Sequence, residues 1–295
     1  MDVLVTGGTG FIGTHLCRAL DDRGHDVTAL SRTPGDAALP DSVDRAVGDV
    51  TAYDSVAEAV EGHDAVVNLV ALSPLFKPKQ GDQRHDEVHL GGTENVVRAA
   101  EAAGVEYVLQ MSALDADANG PTAYLRAKGK AEDVVRNADL AHTILRPSVV
   151  FGEGGEFVSF TRTLTTPYVT GLPGGGKSRF QPIWVQDLVP LLATAVEDDA
   201  HWGETYELGG PEVVTLAEVT RLAYRAVGKP VRVLSVPMPL AAVGLTLADP
   251  LPFVPMGADQ YRSLKLDNTT ADNDVSALGP EAASLTTLEE YLAVH

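Results

Sequence analysis

The chain has one cysteine, few basic residues and no long hydrophobic run. With Cys17 as the single cysteine of 295 residues, an internal disulfide is impossible, and its apolar neighbours predict a buried, unreactive thiol. No apolar run reaches the roughly 18 residues of a membrane span, because prolines interrupt the longest one, residues 231–256. The N-terminus carries no basic region ahead of its first apolar residues, so we expect no signal peptide and a cytoplasmic protein.

Basic residues are scarce relative to acidic ones: 22 Lys and Arg stand against 41 Asp and Glu, which gives a net charge of −19. Such a balance repels nucleic acids and anionic membranes, so nucleic-acid binding is excluded as a predicted function. Because the acids are scattered rather than gathered in a tail, we interpret them as a highly solvated surface and hypothesise a salt-rich cytoplasm. The histidines show no paired ligand spacing, so no metal site is predicted.

What the chain does contain is a glycine-rich turn at its start. Val3–Val5 predicts a short strand, Gly7, Gly10 and Gly13 follow at a spacing of three, and apolar residues then recur at helical spacing. Such glycines permit a sharp turn, close approach of a pyrophosphate and tight helix packing, while the first amides of the helix face the phosphates. This pattern predicts a dinucleotide site, with a ligand-free glycine turn as the alternative. The predicted site residues are Gly7, Thr9, Gly10, Phe11 and Ile12.

Two later strand ends extend this predicted site. The second strand, 26–30, ends in Ser31 and Arg32, where an NAD-preferring fold usually carries an acidic residue. A hydroxyl and a guanidinium suit a 2′-phosphate better, so NADP(H) is the preferred cofactor and NAD(H) a possible one; the alternative is that Arg32 is a solvated surface charge. Asp49, after the third strand, is placed to accept from the adenine amino group, or else to cap the next helix.

A candidate proton-transfer group follows the fifth strand. Ser112 lies at the tip of that strand, and Tyr124 and Lys128 lie four residues apart on one face of the next helix. An ammonium beside a phenol lowers the pKa of the phenol, and a serine hydroxyl can orient a substrate oxygen. The three residues are therefore predicted to be catalytic. The alternative is an exposed Lys128 with a half-buried Tyr124 packed on the sheet.

Alternation of strands and helices predicts an α/β fold, a doubly wound parallel sheet over residues 1–146. Pro147 cannot donate to a strand ladder, so the chain is expected to leave the sheet there. Residues 147–295 are predicted to form a smaller C-terminal lobe for a substrate or partner, with 182–208 returning to the core. The apolar stretch 237–256 is a lid over a substrate, a docking face or plain core.

Residues 6–13, Asp49, residues 68–71, residues 92–96 and the Ser112/Tyr124/Lys128 set resemble extended and atypical short-chain dehydrogenases/reductases. Residues 146–152, 174–176 and 180–187 resemble one branch more closely. That branch is similar to the NAD(P)H-binding accessory subunit of respiratory complex I and is often labelled NAD-dependent epimerase/dehydratase.

The resemblance implies a Rossmann domain that binds NAD(P)(H) and a Ser/Tyr/Lys site. The implied cofactor residues are Gly7, Thr9, Gly10, Phe11, Ile12, Ser31, Arg32, Asp49, Val50, Leu69, Val70, Ala71, Tyr124, Lys128 and Pro147. The leading hypothesis is an NADP(H)-preferring oxidoreductase acting on a small carbonyl or alcohol. The alternatives are a non-catalytic protein that docks on a membrane respiratory complex, and a nucleotide-sugar epimerase with Arg162, Lys177 and Arg179 at its diphosphate. A homo-oligomer is also possible.

Overall fold

A parallel sheet lies at the centre of the computed structural model, which describes residues 1–35, 37–78, 80–240, 258–263 and 265–294. Among these residues the sheet has seven strands in the order β11-β6-β5-β4-β1-β2-β3. The strands are β1 (Asp2–Thr6), β2 (Asp26–Ser31), β3 (Asp44–Val47), β4 (Ala65–Asn68), β5 (Tyr107–Met111), β6 (Ala141–Pro147) and β11 (Thr205–Leu208). Because β1 pairs with both β2 and β4, a crevice opens between their carboxyl ends.

Helices cover both faces of the sheet. The long helices are α1 (Phe11–Asp22), α2 (Tyr53–Val60), α4 (Gly92–Ala103), α5 (Ala123–Arg136), α6 (Phe157–Leu164), α7 (Val185–Glu197) and α8 (Leu216–Arg225). Val3 and Val5 pack with α1 and α7, whereas Leu4, on the opposite face of β1, packs with α2 and α4. Burial of both faces explains the nearly continuous apolar strands. The predicted Rossmann-type, doubly wound α/β fold is confirmed.

A short helical turn, α3 (Gln83–His85), runs into a π-helix, Asp86–Gly91, which continues directly as α4. The sequence predicts only one continuous helix here. The extra backbone residue per turn of the π-helix changes the direction of the side chains that precede α4, and such segments are frequent at functional sites.

The C-terminal part consists of short paired strands and short helices. Its strands are β7 (Val150–Phe151), β8 (Tyr168–Pro173), β9 (Arg179–Phe180), β10 (Ile183–Trp184), β12 (Val214–Thr215) and β13 (Val231–Val236), and its short helices are α9 (Ala258–Ser263), α10 (Val275–Leu278) and α11 (Leu288–Val294). β8 pairs in parallel with β13, and β9 pairs with β12. Most of the apolar stretch 237–256 lies outside the described residues.

Cys17 is fully buried in α1, and burial raises the pKa of its thiol to about 12, as the predicted unreactive thiol requires. None of the helices in the described ranges combines the length and the apolar character needed to cross a bilayer.

Candidate functional site

The glycine turn joins β1 to α1 in a conformation that only glycines tolerate. Gly7 has a φ of +74°, and a Cβ there would lie 3.3 Å from the carbonyl carbon of Leu69. A Cβ on Gly13 would lie 2.2 Å from the carbonyl oxygen of Gly7. The first helix therefore packs directly on the turn, and the tip of β4 packs on it from the other side.

The first amides of α1 are available to a ligand. Gly10 is the N-cap residue, and no side chain caps the helix. The N–H groups of Phe11 and Ile12 have no acceptor within the described part of the chain. Gly10 is exposed and lacks a Cβ, and the neighbouring Thr9 is half-buried. These residues make an open, positively polarised helix end that suits a diphosphate.

The strand tips around this turn hold the remaining predicted cofactor residues. The hydroxyl of Ser31 is buried without a partner in the described residues, whereas Arg32 is exposed. Leu69 and Val70 are half-buried, Ala71 is exposed and Pro147 is buried. Leu69, Val70 and Ala71 follow β4, beside the turn, and Pro147 closes β6.

Asp49 forms a local turn. Its Oδ1 accepts from the backbone N–H of Thr51 at 2.9 Å and from the Thr51 hydroxyl at 2.8 Å. Partial burial raises the pKa of Asp49, but these bonds and the charges of Arg32 and Arg84 more than offset it, so the pKa is lowered. Val50 is buried, and its carbonyl accepts from the Asn95 amide at 2.8 Å. The helix-capping alternative for Asp49 is wrong, because the N-cap residue of α2 is Ala52 and no side chain caps that helix; Asp49 bonds Thr51 instead.

Tyr124 and Lys128 lie in the first turns of α5, which begins after Thr122. Lys128 is only 2 % exposed, and its Nζ donates to the Met111 carbonyl at 2.8 Å. Burial lowers the pKa of Lys128 to about 8, against the opposing charge of Glu132. The alternative of an exposed Lys128 is therefore wrong. The predicted lowering of the Tyr124 pKa is also wrong for this structure, because burial of the phenol raises it.

Ser112 faces a buried ion pair that the sequence did not reveal. Its hydroxyl donates to Oε1 of Glu132 at 2.5 Å, and Glu132 is 1 % exposed. Arg146 donates to both oxygens of the same carboxylate, at 2.8 and 2.6 Å. This fork raises the pKa of Arg146 further. In this structure the hydroxyl hydrogen of Ser112 is used by Glu132, which favours a supporting role for Ser112 over the predicted contact with a substrate oxygen. The position of Glu132, one turn after Lys128, was the available signal.

Two buried histidines beside Tyr124 were also missed. His85 and His89 stack on each other with ring centroids 5.5 Å apart, and their centroids lie 5.7 and 5.3 Å from that of Tyr124. Nε2 of His89 accepts from the N–H of Leu72 at 3.4 Å, so Nδ1 carries the ring hydrogen. Both Nδ1 atoms are buried without a partner in the described residues. Burial lowers the pKa of both rings, which favours their neutral form. Their i, i+4 spacing, which places both rings on one face of the helix, was the available signal, and the sequence-based statement that the histidines show no paired spacing overlooked it.

Comparisons with known proteins bear on the fold and on the class of cofactor. Residues 7–165 match a family model described as NAD(P)H-binding. The chain is 29% identical to the mitochondrial NADH dehydrogenase [ubiquinone] 1 alpha subcomplex subunit 9 of Arabidopsis thaliana, a similarity that covers 91% of this chain and 71% of that one. It is 28% identical to a 3 beta-hydroxysteroid dehydrogenase/Delta 5-->4-isomerase of Mycobacterium tuberculosis, over 77% of this chain and 70% of that one.

The fold is shared with solved structures. A short-chain dehydrogenase/reductase superfamily protein from Agrobacterium tumefaciens, solved with bound NAD, superposes with a TM-score of 0.72 at 19% identity. That likeness covers 100% of this chain and 95% of the other.

Proposed function

This chain belongs to the NAD(P)H-binding family, and from this premise we propose that it is a short-chain dehydrogenase/reductase that reduces a small carbonyl substrate with NADPH. The observation that supports the proposal is the position of the buried Lys128, whose Nζ bonds the last residue of β5 and which lies one turn after Tyr124, at the same edge of the sheet as the open amides of α1. A cytoplasmic location is part of the same proposal.

The residues present fit a dinucleotide. The unpaired N–H groups of Phe11 and Ile12 would bind its diphosphate, and Gly10 leaves room for close approach. Arg32 and the unpartnered Ser31 hydroxyl would bind a 2′-phosphate, which supports NADPH over NADH. Leu69, Val70 and Ala71 would line the nicotinamide end. When bound, the nicotinamide supplies a hydride to the carbonyl carbon.

Tyr124 would give its phenolic proton to the carbonyl oxygen, which becomes the alcohol, and solvent would reprotonate the phenolate. Burial raises the pKa of Tyr124, so the phenol is fully protonated at neutral pH, the state that a proton donor needs. The ammonium of Lys128 would hold the nicotinamide ribose and stabilise the phenolate as it forms. Ser112 would support this wall of the site through Glu132 rather than contact the substrate.

Replacement of Tyr124 by Phe tests the proposal. NADPH oxidation should be followed with a panel of small aldehydes, ketones and the diketone 9,10-phenanthrenequinone. Loss of the proton donor should lower kcat by about 10²-fold or more, while the Kd for NADPH changes little. Tyr53→Phe, which alters a half-buried tyrosine of α2, is the matched control and should keep full turnover. Retained turnover in Tyr124→Phe would exclude the assigned role.

The cofactor preference has its own test. In Arg32→Ala the Kd for NADPH should rise by about tenfold, the effect of losing one charged contact worth roughly 1.4 kcal/mol. The Kd for NADH should stay unchanged, because NADH has no 2′-phosphate. Equal Kd values of the unmodified protein for both cofactors would refute the preference.

A second candidate is a non-catalytic NAD(P)H-binding protein that docks on a respiratory complex. The similarity to the Arabidopsis complex I subunit favours it. Tight NADPH binding without turnover on any carbonyl, together with co-purification with membranes, would support it over the first. The epimerase alternative needs a basic pocket for a diphosphate, and one of its three candidate residues, Arg179, forms an exposed ion pair with Asp267 at 2.8 Å.

A further inference from the structure

Two neighbouring polar residues of the C-terminal part are buried beside the candidate site. Asp259 and Gln260, in α9, are 4 % and 5 % exposed. They lie more than 120 residues after α5 in the chain, outside the segment that matches the family model. Burial of a carboxylate or an amide costs free energy unless the group forms hydrogen bonds. The hydrogen-bond partners of Asp259 and Gln260 therefore indicate which parts of the molecule these two residues connect.

Asp259 binds the start of the helix that carries Tyr124. Its Oδ2 accepts from the backbone N–H of Ala123, the first residue of α5, at 2.7 Å, and its Oδ1 accepts from Arg262 at 3.0 Å. The helix has its own cap in Thr122, whose hydroxyl accepts from the N–H of Leu125 at 3.2 Å. Asp259 therefore adds a second anchor, from another part of the molecule, to the turn that holds Tyr124.

Gln260 binds the opposite wall. Its Nε2 lies 3.4 Å from the Pro74 carbonyl and 3.3 Å from the Phe76 carbonyl, both in the loop that follows the tip of β4. The same loop donates from Leu72 to His89, whose ring contacts Tyr124. The contacts form a closed circuit around Tyr124, through Asp259, Gln260, the loop and His89.

We propose that Asp259 and Gln260 form a clasp that positions Tyr124 by fixing the start of α5 against the loop after β4. Asp259 is a positioning residue, since it contacts the helix backbone and not the reacting atoms. The proposal rests on the proposed function of Tyr124 as proton donor. In this proposal two parts of the chain build the site. The segment that matches the family model binds the cofactor, and the C-terminal part sets the orientation of the proton donor.

The charge of Asp259 also acts on the pKa of His85, which gives a second measurement that a helix cap alone would not change. His85 is buried, which lowers its pKa, and the carboxylate of Asp259 opposes this shift. The other charges that act on His85 are Asp82 and Asp86, which raise its pKa, and Lys128, which lowers it. Asp259→Asn keeps an acceptor for Ala123 but removes the charge, so the pKa of His85 should fall in that variant, as followed by NMR titration of its ring.

The test compares Asp259→Ala, Asp259→Asn and Gln260→Ala with two controls in the full chain. Thr122→Ala removes the internal cap of the same helix and leaves the clasp, and Arg262→Gln removes the partner of the other Asp259 oxygen. Each variant is assayed for kcat and KM with NADPH and 9,10-phenanthrenequinone, for the Kd of NADPH, and for amide hydrogen exchange in residues 121–128 and 72–76.

Asp259→Ala should lower kcat by about tenfold with an unchanged Kd for NADPH, and exchange should quicken in both segments. Asp259→Asn should recover most of kcat, and both controls should keep it. An equal loss of kcat in Thr122→Ala and Asp259→Ala, or unchanged exchange in Asp259→Ala, would overturn the clasp. Exchange needs no turnover, so faster exchange in Asp259→Ala, together with an unmodified protein that shows no activity, would refute the proposed function and leave the clasp standing.

Discussion

Lys128 carries its ammonium in a fully buried position, and burial lowers its pKa to about 8. In the proposed mechanism the charged form binds the ribose and stabilises the phenolate. Reduction measured as kcat/KM should therefore be level below pH 8 and fall by about tenfold per pH unit above it, because the ammonium loses its proton there. Titration of Tyr124 should not change kcat/KM in this pH range, because the pKa of Tyr124 is raised.

The control for this pH profile is Lys128→Met, which has no ammonium to lose. Its residual kcat/KM should be much lower and should show no fall between pH 7 and 9. A profile of the unmodified protein that stays level to pH 10 would contradict the prediction that an ammonium with a pKa of about 8 is needed for the reaction.

The sequence predicts that Ser112 contacts the substrate oxygen, whereas the structure favours a role in bonding Glu132. Replacement of Ser112 distinguishes the two roles. If its hydroxyl only satisfies Glu132, Ser112→Ala should keep kcat within about threefold and lower the free energy of unfolding by about 1.5–3 kcal/mol, the value of a bond to a buried charge. Steady-state kinetics and urea unfolding measure the two quantities. A loss of about 10²-fold in kcat at unchanged stability would restore the predicted contact with the substrate oxygen.

At the scale of elements, two glycines of one turn have different roles. A Cβ on Gly13 would lie 2.2 Å from the backbone of Gly7, so Gly13→Ala must displace α1 and should cost about 1–3 kcal/mol of stability. Gly10 is exposed, and the nearest atom to its Cβ position is 3.1 Å away. Gly10→Ala should thus keep the melting temperature and raise the Kd for NADPH by about tenfold or more.

Thermal melts and cofactor titration of the two variants check this contrast. A Gly10→Ala protein that binds NADPH as tightly as the unmodified chain would show that the diphosphate does not approach this turn. Gly13→Ala is the matched control for general damage to the turn.

The elements that could be predicted from the sequence are those whose pattern lies within a few neighbouring residues. The turn 6–13 joins adjacent elements, and the apolar strand around Val66 reads as buried on both faces. The pairing of β8 with β13 joins residues about 60 positions apart, so no local pattern within either strand identifies its partner. The same holds for the bond of Asp259 to Ala123 and for the choice of Glu132 as partner of Ser112, because each depends on which side chains the complete fold brings together.

At the scale of the whole molecule, the net charge of −19 must be accommodated by a folded surface. Basic groups of the described residues form ion pairs with some of the acids, including Arg23 with Glu197 and Arg225 with Glu289, but 22 basic residues are too few to pair with all 41 acidic ones. Self-repulsion of this kind destabilises a compact state and is screened as ionic strength rises.

Salt should therefore stabilise this protein. Between 0.1 and 2 M NaCl the melting temperature should rise by at least about 5 °C, because the screening length falls from about 10 Å to below about 3 Å. Tetramethylammonium chloride at equal ionic strength is the control, since it screens charge but is hydrated differently from sodium. Equal stabilisation by both salts identifies screening as the cause. A melting temperature that is the same in dilute buffer and in molar salt would refute the salt-rich cytoplasm, and it would mean that the acidic surface does not destabilise the fold.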